Sequence, residues 1–238
     1  MTIAWIYYII CSSLFLYERA RRLIRCNFNK QLTKKYKKCK KLGIDLDNTI
    51  TELENTLIDM AKYYGKGLPS IEDIKDFNLS TVFGVSEEDS KEYWQEREWS
   101  LIKNAEVSEA RLSAILELFA DDDTGVYIIT NRPDRFYFET AEWLDINGIS
   151  YKELHIVQGS KAELIKELEL DVMVDDKPEL FYEIQTAKNA GERIHTEMVC
   201  VDYPYNENAP CDVRLSREGD IIEEELFYDF KSYRWLSL

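Results

Sequence analysis

From Lys41 onward, short apolar runs alternate with longer stretches whose apolar residues recur at helical spacing. Leu42-Gly-Ile-Asp-Leu46, Gly125–Ile129, Glu153–Val157, Asp171–Val174 and Met198–Val201 read as buried strands, Met198–Val201 being the last. Between them, Leu112, Ile115, Leu116 and Phe119 mark one face of a helix over 108–120. Further helices are predicted from Thr51 to Tyr64, from Ser86, from Asp134 to Asn147 with Gly148 closing it, from Ser160 to Glu169, and near Glu179–Ala190. Thr51 with Glu54, and Ser160 with Glu163, have the spacing of capping boxes. Asp121-Asp-Asp123 reads as a solvated turn, because adjacent acids are unfavourable at the carboxyl end of a helix.

Strands that are apolar throughout, separated by helices, imply a parallel sheet covered on both faces. The expected fold is therefore α/β: a three-layer, Rossmann-like parallel sheet with a small helical cap inserted after the first strand. Residues 39–51 and 106–238 would form the core, and 52–105 the cap. Residues 70–104 have no strand pattern but carry Phe77, Phe83, Tyr93, Trp94 and Trp99. Phe83, Trp94 and Trp99 are expected to pack inside the cap instead of serving as stacking platforms.

Residues 1–38 form a separate object. Residues 2–17 carry no charge, and as a helix they would span ~24 Å, against a bilayer core of about 30 Å. A basic run from Arg19 to Lys41 follows. Two readings stand. In one, residues 1–41 tether a cytoplasmic protein to the inner face of a membrane, with the basic run inside. In the other, the segment is an apolar helix packed on the domain or the product of a start codon placed too early. A signal peptide fits worse, since the charges follow the apolar run and no small-x-small site comes after it.

Charge narrows the partners. Residues 1–41 carry eleven Lys and Arg against Glu18, a net of +10. Subtracting that from the whole-chain −15 leaves −25 for residues 42–238. A domain that acidic repels polyanions, which argues against nucleic acid and leaves a small substrate delivered with a metal ion. The five cysteines form no C-x-x-C pair, and with two histidines no structural zinc spacing exists. Free thiols are expected, although Cys200 and Cys211 could pair under oxidising conditions. Neither a G-x-x-x-x-G-K-[ST] loop, a G-x-S-x-G elbow nor an H-E-x-x-H helix is present.

The candidate chemistry follows the strands. Asp45-Leu-Asp-Asn-Thr49, Thr130-Asn-Arg-Pro133 and Asp175-Asp-Lys-Pro178 each lie just beyond one, and Lys161 opens the helix after another. In a parallel sheet these places converge on one edge. Phosphoryl transfer needs a nucleophile, a proton donor for the leaving oxygen, and positive charge on the equatorial oxygens. Asp45 and Asp47 are two apart, so on an extended strand they would share a face, and one could attack while the other protonates. Asp175 or Asp176 could supply hard oxygen ligands to Mg²⁺. Lys161 would balance charge at a helix N-terminus.

This set resembles the haloacid dehalogenase superfamily of phosphatases. Its D-x-D-x-T motif is matched by Asp45, Asp47 and Thr49, its strand-ending Thr by Thr130, its Lys by Lys161, and its paired acids by Asp175 and Asp176. The resemblance covers roughly residues 40–205. It implies Asp45 as nucleophile and Asp47 as acid and base, with Thr130 and Lys161 completing the catalytic set. It implies Mg²⁺ as cofactor, held among Asp45, Asp47, Asp175 and Asp176, and Thr49, Asn131 and Arg132 as substrate contacts. Ile129-Thr-Asn-Arg-Pro133, Val174-Asp-Asp176 and Tyr203-Pro-Tyr-Asn206 followed by Arg214 are similar to the 5′(3′)-deoxyribonucleotidase-like branch and its bacterial nucleotidase relatives. That implies an Mg²⁺-dependent nucleotidase acting on a small phosphorylated substrate. The alternatives are a phosphatase of a nucleic-acid end or a phosphoprotein, and a membrane-tethered binding protein that keeps the fold without catalysis.

Overall fold

The computed structural model describes residues 39–222. Six parallel strands form one sheet: β1 (Lys41–Ile44), β2 (Gly125–Thr130), β3 (Glu153–Ile156), β4 (Val172–Asp175), β5 (Glu197–Val201) and β6 (Val213–Leu215). Their spatial order is β3-β2-β1-β4-β5-β6. Successive strands leave β1 in one direction through β3, and then in the other from β4. The order reverses between β1 and β4, and the crevice beyond their carboxyl ends is where such sheets take ligands.

Alternation along the strands divides the core in two. Leu42, Ile44, Ile128, Val172, Val174, Val199 and Val201 face one side, where they meet α4 (Glu109–Phe119) and α5 (Tyr137–Ile146). Tyr127, Ile129, Met173, Met198 and Cys200 face the other, against α6 (Ala162–Leu168) and α7 (Pro178–Asn189). This is the expected three-layer α/β arrangement. Gly43 sits where a Cβ would come within 2.5 Å of Leu170 Cδ1 and 2.7 Å of Met173 Sδ, so a side chain at the middle of β1 would require both to shift.

Between β1 and α4 the chain leaves the sheet to form α1 (Leu53–Tyr64), α2 (Leu79–Phe83) and α3 (Glu87–Lys103). Exit and return are clamped together: Thr51 bridges Val107, Glu52 N donates to Glu106 O, and Ser108 N donates to Ile50 O. Arg111 of α4, fully buried, donates to Thr51 O at 2.8 Å and Glu52 Oε2 at 3.1 Å.

Several expectations need correction. Met198–Val201 is not the last strand. β6 follows it, hidden from the pattern because its central residue is Arg214. Neither proposed capping box forms. Helix α1 starts at Leu53 with no side-chain cap, and Thr51 Oγ1 instead accepts from Asn48 N. Helix α6 starts after Lys161, and Ser160 Oγ accepts from Ala162 N. The inserted aromatics split. Phe83 is buried in the core, Trp94 lines a cavity, and Trp99 is half exposed with Lys103 over its ring. Among the described residues, Cys39, Cys200 and Cys211 form no disulfide. Residues 1–38, on which the membrane-tether and early-start readings rest, lie outside the described residues, and Lys41 already belongs to β1. Among the described residues no helix is long and apolar enough to cross a membrane.

Candidate active site

Strand β1 ends at Ile44, and Asp45 N continues the ladder by donating to Val174 O. The chain then turns tightly. The N–H groups of Thr49, Ile50 and Thr51 all point at Leu46 O. Asn48 takes a left-handed conformation (φ 61°), which an Asn tolerates better than most residues. Asp45 and Asp47 therefore do not share a strand face. The strand ends before them, and the turn sends their side chains to different places. Asp45 is buried, whereas the side chain of Asp47 is half exposed and lines a cavity.

The carboxylates of Asp45, Asp175 and Asp176 come together, with one oxygen of each within 4.8 Å of the others. Lys161, at the start of α6, reaches Asp45 Oδ1 at 2.6 Å and Asp175 Oδ2 at 2.7 Å. The second oxygen of Asp175 accepts from Lys177 N at 2.8 Å. Thr49 Oγ1 lies 3.2 Å from Asp176 Oδ1 and 3.4 Å from Asp45 Oδ2. Burial pushes Asp45 up to about 8, with Lys161 opposing and the neighbouring acids adding to the rise. Burial, and then Asp175, push Asp176 up to about 7. Three buried carboxylates face one ammonium. That imbalance, in a set of hard oxygen donors, suits a small divalent cation.

The other expected site residues divide by what they touch. Thr130, at the end of β2, is buried and its hydroxyl accepts from Arg132 N. Thr49, expected to meet substrate, is fully buried among the acids and orients them instead. Asn131 lines the cavity, and its Nδ2 donates to Val157 O and Gly159 O, tying β2 to the loop that carries Lys161. Arg132 lies over the Trp143 ring at 5.1 Å and grips Asp47 with Nε at 3.0 Å and Nη2 at 2.8 Å. Its Nη1 is buried with no hydrogen-bond partner. Asp47 is thus held by Arg132, and its carboxylate is not among the acids that come together.

Two groups escaped the sequence reading. Arg111 donates through Nη1 to Tyr203 Oη at 3.0 Å. Tyr205 donates to Asp176 Oδ2 at 2.5 Å, and burial together with the charge of Asp176 pushes its hydroxyl well above the ordinary range, so it remains a donor. The Tyr-Pro-Tyr-Asn sequence was the only signal for either.

A cavity of about 650 Å³ lies between the sheet edge and the inserted helices; Asp47 lines it, whereas Asp45, Asp175 and Asp176 do not. Asp47, Asn131 and Arg132 line its floor, and Phe77, Asp59, Trp94 and Glu98 belong to the insert. Its size falls within the range of small-molecule sites.

Two bacterial proteins provisionally described as nucleotidases are similar to this chain. One, from Halalkalibacterium halodurans, is 25% identical over 203 residues, covering 84% of this chain and 96% of its own. The other, from Oceanobacillus iheyensis, is 26% identical over 199 residues, covering 78% and 99%. A solved structure from Lactobacillus plantarum, provisionally titled a phosphoglycolate phosphatase, shares the fold at a TM-score of 0.50 and 12% identity, over 74% of this chain and 94% of that one. No protein-family model matches. The sheet has the haloacid dehalogenase-like fold, and the chain is similar to proteins described as phosphatases and nucleotidases.

Proposed function

We propose that the protein is a magnesium-dependent phosphomonoesterase that works through an aspartyl-phosphate on nucleoside monophosphates or other small phosphates, with residues 52–105 acting as its cap. The observation that carries this reading is the placement of Asp45: buried, paired with Lys161, grouped with Asp175 and Asp176, and two residues from an Asp47 that lines the cavity.

In the first step an Asp45 oxygen forms a bond to phosphorus, the ester P–O bond breaks, and the leaving alkoxide takes a proton from Asp47. In the second, Asp47 takes a proton from water, the water oxygen attacks phosphorus, and the bond to Asp45 breaks, releasing phosphate and restoring the carboxylate. Lys161 and the Thr130 hydroxyl neutralise and orient the equatorial oxygens. Arg132 has a role in each half. Two of its nitrogens hold Asp47 at the cavity, and the unpaired Nη1 is a donor for a phosphate oxygen. Asp45, the Asp47 backbone carbonyl and one of Asp175 and Asp176 would hold Mg²⁺. A bound Mg²⁺ would supply charge neutralisation to the transferring phosphoryl group.

The two bacterial relatives favour a nucleotide, and Phe77 and Trp94 on the cavity wall offer apolar surface to a base. The test is a phosphatase screen over nucleoside monophosphates and sugar phosphates, with Mg²⁺ and with excess chelator. Hydrolysis that depends on Mg²⁺ and is fastest on nucleoside monophosphates is expected. Full activity in chelator would remove the metal, and equal rates across all alcohols would remove the nucleotide.

A further inference from the structure

The segment after β5 has no part in the steps above, yet much of it converges on one acid. Tyr203-Pro-Tyr-Asn206 folds as a short 3₁₀ turn with Pro204 at its first position. Asn206 closes it: Oδ1 accepts from Tyr203 N at 3.0 Å, and Nδ2 donates to Val201 O at 2.8 Å and to the backbone oxygen of Asp176 at 2.7 Å. Arg214 of β6 braces the loop from below, donating to Asp202, to Asn206 O and Oδ1, and to the carbonyls of Glu207 and Ala209. The Tyr203 and Tyr205 rings stack 5.1 Å apart at 6°. Tyr203 is itself pinned at its hydroxyl, which donates to Asn48 O at 3.1 Å and accepts from Arg111. All this order fixes one further group, the Tyr205 hydroxyl, at 2.5 Å from Asp176 Oδ2.

A carboxylate on a short side chain can turn about its last torsion. Asp176 has a donor on each oxygen: Thr49 at 3.2 Å on Oδ1 and Tyr205 at 2.5 Å on Oδ2, with Asn48 Nδ2 more distant at 3.4 Å. Two donors on opposite oxygens fix the plane of the group. We propose that Tyr205 is a positioning residue for the divalent-cation site, its hydroxyl holding Asp176 in the one orientation that presents the carboxylate to Asp45 and Asp175. The Tyr-Pro-Tyr-Asn turn and Arg214 are the brace that makes this contact rigid.

The inference rests on the magnesium reading above, so the test separates the two. Chelator-stripped full-length protein is titrated with MgCl₂ by calorimetry, without substrate. Tyr205→Phe keeps the stacked ring and removes one hydroxyl. Mg²⁺ affinity is expected to fall about 10- to 100-fold, the usual cost of losing a partner that orients a metal ligand. In turnover, the Mg²⁺ concentration for half-maximal rate should rise by the same factor while kcat at saturating Mg²⁺ returns close to wild type. Tyr203→Phe removes one anchor of the brace and leaves the Asp176 contact itself, so its Mg²⁺ affinity should fall clearly less than that of Tyr205→Phe. Unchanged affinity in Tyr205→Phe, or an equal loss in Tyr203→Phe, overturns the assignment while leaving the metal in place. Wild-type protein that binds no Mg²⁺ overturns the metal reading and this inference with it.

Discussion

The edge of the sheet, which reaches the cavity through Asp47, Asn131 and Arg132, and the inserted helices that line the rest of it are built by opposite means. At the sheet edge, position comes from the backbone. Asp45 and Asp175 follow or end paired strands, and Lys161 and Asp176 sit within one residue of an element's end. The side chains there are buried, hydrogen-bonded on nearly every polar atom, and unbalanced in charge. In the insert, position comes from side chains packing on one another. Tyr63, Tyr64, Phe83, Tyr93 and Trp94 touch edge to face or at a tilt, and Asp59 of α1 joins Tyr93 and Arg97 of α3. Two of the acids that line the cavity there are paired: Asp59 with Arg97, and Glu98 with Arg135 of the core. A region that carries unbalanced buried charge is built for chemistry and for a cation. A region of rings and paired acids is built to enclose a molecule. Chemistry should therefore fail when the first is altered, and selectivity when the second is.

The sharpest break lies at Asp45. Asp45→Asn should lower turnover roughly 10⁴-fold or more, the scale of losing a covalent nucleophile. Melting in chelator should not fall, because the amide removes one of three buried like charges and Lys161 keeps Asp175. A folded Asp45→Asn protein with near-normal kcat would deprive the sheet edge of its nucleophile. Asp47→Asn should cost about 10²–10⁴-fold on alkyl phosphates. Phosphorylation by a nitrophenyl phosphate should suffer less, since that leaving group scarcely needs a proton. Equal losses in the phosphorylation step for both would end the acid role.

How far these residues were legible in the sequence follows the same division. Five of the six strands, and the acids beside them, were readable because strand burial and residue type are local properties. β6 was not, since three residues with a buried Arg214 in the middle have no apolar run. The D-x-D spacing announced chemistry but gave the wrong geometry, because the strand stops one residue before Asp45 and a turn takes over. Contacts such as Tyr205 with Asp176 or Arg111 with Tyr203 join residues 29 and 92 positions apart, and no local pattern encodes a partner at that distance. The insert was the least legible. Trp94 and Trp99 read alike on one helix, yet one lines the cavity and the other faces solvent. The weak amphipathicity of α3, which buries only Tyr93 and Ile102, gives no face to predict from.

The insert's own prediction is about binding. Trp94→Ala should raise KM for nucleoside monophosphates about tenfold, in line with the ~1–3 kcal/mol of a base-aromatic contact. It should leave KM for glycerol phosphate nearly unchanged and kcat within about twofold, since ground-state binding alone is removed. Equal increases in KM for both substrates would mean that Trp94 shapes the cavity without recognising a ring.

The smallest effect concerns what holds the insert together. Asp59 accepts from Arg97 through both oxygens and from the Tyr93 hydroxyl at 3.0 Å, and the Arg97 bonds hold its carboxyl below the usual value. A carboxylate whose folded value is depressed stabilises the fold fully above its unfolded value, about 3.9, and loses that contribution as pH falls through the lower folded value. Acidification below about pH 4 should therefore loosen the contact between α1 and α3. Arg97 is partly exposed, so solvent screens the pair and the contribution stays small. Hydrogen exchange in α1 and α3 at pH 7 should be faster in Asp59→Asn than in wild type. The gap should close as wild type is taken down through pH 4, while exchange in β1 and β4, which do not depend on Asp59, stays alike in the two proteins. A gap that persists unchanged to pH 3 would show that Asp59 acts through its shape and not its charge. A gap that spread to the strands would show that insert and sheet edge unfold as one unit, and would dissolve the distinction between the two regions.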